Sequence, residues 1–175
     1  MVEFLADVMA QQGPFDGILA FSQGGIIYRH FYRITQEIDA EKYRDRFVVP
    51  KFMISVASPV FPRMKFLYKN QEYPQLDTPY FDFPSVHLHG LKDTYFKTLT
   101  CHKLFKESAK PIVISFNEAH KFPRCIEDEG FGQLKQFVKD RFTEKNGEHD
   151  GELEFEVNYD KFNFEVRFPP SAPQQ

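Results

Sequence analysis

Residues 17–25, with the sequence Gly-Ile-Leu-Ala-Phe-Ser-Gln-Gly-Gly, decide the fold that we predict for this chain. The first five residues are a short apolar run, typical of a strand buried on both faces in a parallel sheet. The next four predict a sharp turn, and residues 26–38 then carry the apolar spacing of a helix. A buried strand that turns into a helix at a serine is typical of a nucleophile elbow, in which small residues such as Ala20 and Gly24 make room for the turn.

The alternation of strand and helix continues along the chain on both sides of this stretch. The apolar patterns predict further strands at 51–57, 84–90 and 111–116, and further helices at 2–12, 95–107 and 131–142. Strands that alternate with helices indicate an α/β domain with a mostly parallel sheet, which we place at residues 1–142. Residues 61–83 are rich in proline and aromatic residues and have no clear period. We therefore expect a long excursion there, either capping a pocket or packed on the surface.

The C-terminal part of the chain has a different character. Residues 143–151 are polar and predict a linker. Residues 152–168 hold two runs of alternating apolar and polar positions around a four-residue turn, which predicts a β-hairpin. Residues 169–175 are rich in proline, and we expect a disordered tail there. Because a lone hairpin is marginal in water, we expect its apolar face to dock on the domain or on another protein.

Composition narrows the class of protein. The chain has 175 residues and a formal net charge of −3, whereas a dedicated nucleic-acid binder is normally basic. No apolar run approaches the roughly 18 residues of a membrane span, and the N-terminus lacks the basic region of a signal peptide. The only two cysteines, Cys101 and Cys125, carry no motif and exclude a disulfide scaffold. We therefore expect a cytoplasmic location or another reducing intracellular compartment.

Two further polar residues follow predicted strands in an order that suits the serine. A serine nucleophile needs a base, and the base needs a group that orients it. Asp93 comes shortly after the strand at 84–90, and His120 after the strand at 111–116. Each lies just past the carboxyl end of a strand, where open parallel sheets carry their active sites. The order serine, acid, histidine is also that of α/β-hydrolase triads.

Each of these residues also has an ordinary interpretation. Ser22 is a suitable helix N-cap, Asp93 a common turn residue, and His120 an ordinary loop histidine. Their combination at three strand ends favours the catalytic interpretation. His87 and His89 point to the same side of a strand, but a zinc site needs a third protein ligand and no cluster supplies one. We therefore predict no metal site at these residues.

The motifs resemble those of the FSH-type family of small serine hydrolases within the α/β-hydrolase superfamily. Residues 13–25 are similar to the family's nucleophile motif, residues 84–93 to its acid motif, and residues 120–123 to its histidine motif. The resemblance covers residues 2–142. It implies an α/β-hydrolase-type three-layer sandwich with a mostly parallel sheet, to which this chain adds its C-terminal hairpin.

The resemblance also implies roles for the residues. By it, Ser22 is the nucleophile, Asp93 the acid and His120 the base. The elbow aims the backbone N–H of Gln23 at an oxyanion beside the serine. The implied reaction is hydrolysis of a small carboxylic ester or thioester without a cofactor. The aromatic residues at 61–83 would favour an apolar acyl chain.

The departures from the family pattern suggest a different function for the chain. Family members have a strand and a His-Gly loop before the helix at 2–12, so we expect a sheet that lacks its first strands. The missing loop normally supplies a second oxyanion donor, and losing such a donor typically costs about 2.7–4 kcal/mol. The chain is then a fragment, or a second polypeptide supplies the strands, or the domain has shed them. The last account favours a catalytically impaired domain that acts as a structural or interaction subunit, with a protein partner at the open sheet flank or at the hairpin.

Smaller departures occur beside two of the motifs. Glu118 and Ala119 precede His120 where the family commonly has glycines. Ala57-Ser58 replaces the family's usual Ser-Gly pair.

Overall fold

The computed structural model describes residues 1–61, 65–74, 78–94, 101–123, 128–146, 154–158 and 163–167. The chain divides into two compact units, Met1–Gly130 and Phe131–Gln175, and each is described by itself. The strands are β1 (Gly17–Phe21), β2 (Phe52–Val56), β3 (Lys65–Tyr68), β4 (Gln71–Pro74), β5 (Ser85–Gly90), β6 (Ile112–Phe116), β7 (Glu154–Asn158) and β8 (Asn163–Arg167). The α-helices are α1 (Val2–Gln12), α2 (Gln23–Arg33), α3 (Ala40–Tyr43) and α4 (Asp128–Asn146).

Four of the strands in the described part of the first unit form a parallel sheet that organises it. Its strands lie in the order β1-β2-β5-β6, and every neighbouring pair is parallel. The register places Ala20, Ser55, His87 and Val113 in one row across the sheet. All four strands therefore end at the same edge. With the helices, this sheet confirms the predicted α/β-hydrolase-type fold, and the four strands confirm the predicted positions to within a residue or two.

The core of the first unit lies where the helices and the aromatic residues of 78–83 meet the sheet. The side chains of Ala6 on α1 and Phe31 on α2 are almost completely buried, as is Met53 on β2. Phe81 is fully buried and stacks on Phe105 with ring centroids 4.7 Å apart. Burial of an aromatic or aliphatic side chain of this kind contributes about 1.5–3 kcal/mol. The segment that we expected to be a loop thus supplies part of the hydrophobic core.

Two helix predictions need correction. The helix after the elbow begins at Gln23 rather than at residue 26, and residues Ile34–Ile38 form a π-helical turn. The continuous helix predicted over 95–107 is wrong in its described part. There the chain forms two short 3₁₀ turns, Cys101–Leu104 and Glu107–Ala109. They are separate because Phe105 between them pairs with Phe81 in a bridge, and the Lys106 N–H donates to the Phe81 carbonyl at 2.9 Å.

The aperiodic excursion predicted over 61–83 is also wrong in part, since it contains the antiparallel hairpin β3–β4. Lys69 and Asn70 both have positive φ, as the two-residue type I′ turn of a hairpin requires. Phe66 is buried in the hydrophobic core and stacks on His30, while Leu67 points to solvent. The alternation is thus present but short, and the surrounding aromatic residues obscure it.

The C-terminal part contains a helix and a hairpin. Helix α4 continues to Asn146, four residues into the segment predicted as a linker. Strands β7 and β8 pair antiparallel in a register that runs from Glu154 opposite Arg167 to Asn158 opposite Asn163, and they confirm the predicted hairpin. The predicted turn begins at Asn158, which the structure places in β7 opposite Asn163; its other residues, 159–161, and the proline-rich tail at 169–175 lie outside the described residues.

None of the helices in the described part of the chain is both long enough and apolar enough to cross a membrane.

Candidate active site

Ser22 occupies the sharp turn between β1 and α2. Its backbone has φ 50° and ψ −117°, a conformation that non-glycine residues rarely adopt. The Ser22 N–H donates to the carbonyl of Val56 at 2.8 Å, which fixes the turn to the end of β2. Strained backbone of this kind clusters at functional sites. The turn therefore has the form of the nucleophile elbow that the sequence predicts.

The elbow needs a glycine at Gly25 for steric reasons, rather than at Gly24 as we predicted. A Cβ atom on Gly24 would lie 3.9 Å from the Ala20 Cβ, which is an ordinary contact. A Cβ atom on Gly25 would lie 2.5 Å from Ser58 Oγ and 2.6 Å from Ser58 Cβ. The second glycine therefore lets the first turn of α2 approach the loop after β2.

Asp93 and His120 lie on two loops that are joined through their backbones. The Leu91 N–H donates to the Phe116 carbonyl at 2.8 Å, and the Lys92 N–H donates to the Glu118 carbonyl at 2.9 Å. Gly90 permits this approach, because a Cβ atom there would lie 2.3 Å from the Glu118 carbonyl oxygen. These backbone contacts thus hold the loops after β5 and β6 against each other.

The structure brings Ser22, His120 and Asp93 into a continuous hydrogen-bonded chain. Ser22 Oγ lies 2.8 Å from His120 Nε2, and His120 Nδ1 lies 2.7 Å from Asp93 Oδ2. An ionised carboxylate only accepts hydrogen bonds, so Nδ1 carries the proton and Nε2 accepts from the serine hydroxyl. The Asp93 side chain is 6% exposed and that of His120 is 20% exposed. The imidazole is therefore held by the Asp93 carboxylate at Nδ1 and directed toward Ser22 at Nε2.

Gln23 is the first residue of α2. Because the first N–H groups of a helix have no intrahelical acceptor, its backbone N–H is suited to bind an anion at this end of the helix. Its position directly after Ser22 is where an elbow carries its oxyanion donor.

Two aromatic residues at the site escaped the sequence analysis. The ring centroid of Phe21 lies 5.3 Å from that of His120 and 4.9 Å from that of Phe122. The only signal for either contact is adjacency, since Phe21 precedes the serine and Phe122 follows the histidine by two residues. That signal does not reveal that the two loops bring the rings together.

The carboxylate of Glu118 has its own cationic partner beside the histidine. It pairs with Lys121 Nζ at 3.1 Å. The two charged residues nearest to His120 in sequence, Glu118 and Lys121, therefore pair with each other.

A small cavity of about 30 Å³ lies beside Asp93. Its lining comprises Ser55, Ala57, Ser58, His87, Leu88, His89, Gly90, Asp93, Cys101, His102 and Val113. It has room for a water molecule rather than for an acyl chain. His87 Nε2 lies 2.9 Å from Ser85 Oγ, and His89 Nε2 lies 2.9 Å from Ser115 Oγ. Burial lowers the pKa of His87 to about 3, with His102 and Arg29 adding to the effect.

Metal-ligating side chains do not converge in the described part of the chain, where no group of three or more histidine, cysteine or acidic residues is placed to hold an ion. The rings of His87 and His89, which we considered and rejected as metal ligands from the sequence, lie against serine hydroxyls.

A parallel sheet with a serine at its strand–helix turn, and with an acid and a histidine on the following strand ends, defines a protein of the α/β-hydrolase type. The model of the serine hydrolase (FSH1) family matches residues 1–129, and the chain belongs to this family.

Two curated relatives are similar to this chain. One is an uncharacterized hydrolase of Schizosaccharomyces pombe, 29% identical over 121 residues, which are 69% of this chain and 26% of that protein. The other is esterase OVCA2 of Mus musculus, 26% identical over 145 residues, which are 82% of this chain and 56% of that protein. The chain thus spans between a quarter and somewhat over half of the length of these relatives. No solved structure matches it at a significant level.

Proposed function

We propose that this chain is a serine hydrolase that cleaves a carboxylic ester or thioester through Ser22, His120 and Asp93. The observation that carries the proposal is the hydrogen-bonded chain from Ser22 Oγ through the imidazole to Asp93 Oδ2, with distances of 2.8 and 2.7 Å. Its position at the carboxyl ends of the strands of a serine hydrolase family member supports the same function.

The first half of the reaction forms an acyl-enzyme. His120 Nε2 takes the proton from Ser22 Oγ as the oxygen attacks the substrate carbonyl carbon. The carbonyl oxygen becomes an oxyanion, to which the Gln23 N–H donates. The tetrahedral intermediate then collapses, and the alcohol or thiol leaves with the proton from Nε2. Asp93 keeps the Nδ1 proton in place and stabilises the imidazolium while it lasts.

The second half releases the acid. A water molecule gives a proton to His120 Nε2 and attacks the acyl carbonyl carbon, again with the oxyanion at the Gln23 N–H. The intermediate collapses, Ser22 Oγ leaves and takes back the proton from Nε2, and the carboxylic acid departs. The chain's residues and water account for every bond and proton in these steps.

The decisive experiment is intact-mass labelling with a fluorophosphonate, which reacts with an activated serine. We expect one adduct on the wild-type chain and none on Ser22→Ala. The matched control is Ser108→Ala, which removes an exposed serine bonded to Asp82 and should label like the wild type. Hydrolysis of p-nitrophenyl esters and of an acyl thioester should follow the same pattern. A folded wild-type chain that takes up no adduct would overturn the proposal.

An exposed leucine favours a second candidate function, that of an interaction subunit. Among the described strands β1 lies at one edge of the sheet, and Leu19 at its centre is 46% exposed. An edge strand offers backbone groups to a protein partner, and the exposed Leu19 side chain offers apolar area beside them. In that case the chain would take up no fluorophosphonate, and it would associate with itself or with another polypeptide. Leu19→Glu should reduce that association in size-exclusion chromatography with light scattering.

A further inference from the structure

Three rings follow one another at the site, in the order His120, Phe21, Phe122. The planes of Phe21 and His120 are inclined at 38°, and those of Phe21 and Phe122 at 26°. Both spacings, 5.3 and 4.9 Å, fall within the range of favourable aromatic pairs. Phe21 is the last residue of β1 and directly precedes Ser22. The element that carries the serine therefore also touches the ring of the histidine.

Phe21 does not serve the main hydrophobic core. That core is built from residues such as Phe31, Met53 and Phe81, and among the described residues Phe21 is neither in it nor packed against it. The Phe21 side chain is only partly buried. Its recorded ring contacts are with the histidine and with the aromatic residue two positions further along the same loop.

The contact between Phe21 and the His120 ring matters at one stage of the catalytic cycle. In the resting state, hydrogen bonds to Ser22 and Asp93 hold the imidazole at both nitrogens. In the acyl-enzyme, Ser22 Oγ is esterified and has no proton to donate, so one of these two bonds is lost. The ring contact with Phe21 does not depend on that proton. It remains when His120 must point Nε2 at the attacking water.

We propose that Phe21 is a positioning residue, which holds the His120 imidazole in line with Ser22 through ring contact while Phe122 stacks on Phe21 and supports it. The proposal rests on the proposed function, since it concerns the same histidine. It assigns to Phe21 an effect on turnover rather than on substrate binding.

The test replaces the ring and then restores it. Phe21→Leu keeps apolar bulk but removes the planar ring, and we expect kcat for a p-nitrophenyl ester to fall roughly tenfold with KM changed less than about twofold. Phe21→Tyr keeps the ring and should recover most of kcat. The matched control is Phe4→Leu, the same substitution at a phenylalanine on α1 that is 68% exposed, and it should leave kcat unchanged.

A second readout is independent of activity. An imidazole N–H that donates to a carboxylate gives a proton NMR resonance at unusually low field, and this resonance persists only while the ring is held. We expect it in the wild type, Phe21→Tyr and Phe4→Leu, and its broadening or loss in Phe21→Leu. The assignment to His120 is checked by its absence in His120→Ala.

The outcomes separate the two proposals. If the wild-type chain shows the low-field resonance but takes up no fluorophosphonate and hydrolyses no ester, the hydrolase proposal is refuted. The effect of Phe21→Leu on the resonance still decides whether Phe21 positions His120. An active Phe21→Leu with unchanged kcat and an intact resonance would overturn the positioning role, as would a Phe21→Tyr variant no better than Phe21→Leu. If Phe21→Leu does not fold, Phe122→Leu tests the same ring stack, and wild-type kcat and resonance in that variant would overturn the proposal.

Discussion

A Cβ atom on Gly90 would lie 2.3 Å from the carbonyl oxygen of Glu118, so the backbones of the loops after β5 and β6 touch at this glycine. Asp93 lies three residues further along the first loop, and His120 two residues further along the second. The hydrogen bond between their side chains therefore depends on how closely the two backbones approach.

Gly90→Ala should separate the two loops. We expect a loss of about 1–3 kcal/mol in the free energy of unfolding, the usual cost of overpacking. Fluorophosphonate labelling of Ser22 should slow by at least about tenfold, because small displacements of catalytic groups have large effects on rate. Urea denaturation and labelling kinetics measure the two effects.

Gly132→Ala is the matched control for this prediction. A Cβ atom on Gly132 would meet nothing within 4 Å, and the residue lies in α4, where alanine is the better helix former. It should be neutral or stabilising by up to about 1 kcal/mol. Equal labelling rates for Gly90→Ala and Gly132→Ala would contradict the role given to Gly90.

The two glycines that follow Gln23 should respond differently to alanine. Gly25→Ala forces a clash with Ser58 and should destabilise the fold by about 1–3 kcal/mol. Gly24→Ala has only an ordinary contact with Ala20 and should be tolerated in thermal and urea unfolding.

A double variant checks the cause of that difference. Ser58→Gly removes both atoms that the new Cβ would meet, so it should recover much of the stability lost in Gly25→Ala. The two changes are expected to be non-additive, as for residues in contact. Additive losses would show that the clash is not the reason for the glycine.

The sequence revealed the strands and the three polar residues at their ends because both follow local rules. Short apolar runs mark buried strands, and in a parallel sheet Ser22, Asp93 and His120 all follow carboxyl ends that share one edge. The Gly25–Ser58 contact and the Phe21–His120 contact depend on how loops far apart in sequence approach. Neither leaves a periodic signal, so neither could be read from the pattern. The hairpin β3–β4 was missed because its four-residue strands are too short to establish a period among many aromatic neighbours.

Ala57 adopts a left-handed backbone, with φ 48°, just after β2. This conformation costs an L-residue about 1–2 kcal/mol, whereas glycine adopts it freely but loses about 0.4–1 kcal/mol through the unfolded chain. We therefore expect Ala57→Gly to be neutral or to stabilise the fold by up to about 1 kcal/mol in urea denaturation.

Ala10→Gly should change stability with the opposite sign. Ala10 is exposed in the last turn of α1, where glycine remains a poorer helix residue than alanine and costs up to about 1 kcal/mol. If both substitutions destabilised the protein equally, the strain assigned to Ala57 would be refuted.

His87 should make the fold sensitive to acid. Burial first, then the nearby charges of His102 and Arg29, lower its pKa in the folded chain to about 3, against 6.5 for an exposed histidine. Between these two pH values the unfolded chain binds a proton at this residue and the folded chain does not. Stability is therefore fully present above about pH 6.5 and falls as the pH decreases toward 3.

His87→Phe removes this titration while keeping an aromatic ring in the site. Its free energy of unfolding should fall less steeply with acid than that of the wild type, which urea denaturation at pH 7, 5 and 4 would measure. His30, whose pKa burial lowers to about 4, is present in both proteins, so its contribution cancels in the comparison. Any constant cost of the substitution, such as the hydrogen bond lost at Ser85, shifts the whole curve and leaves its slope unchanged. Parallel pH profiles for the two proteins would mean that His87 accepts a proton as readily in the folded chain as in the unfolded one.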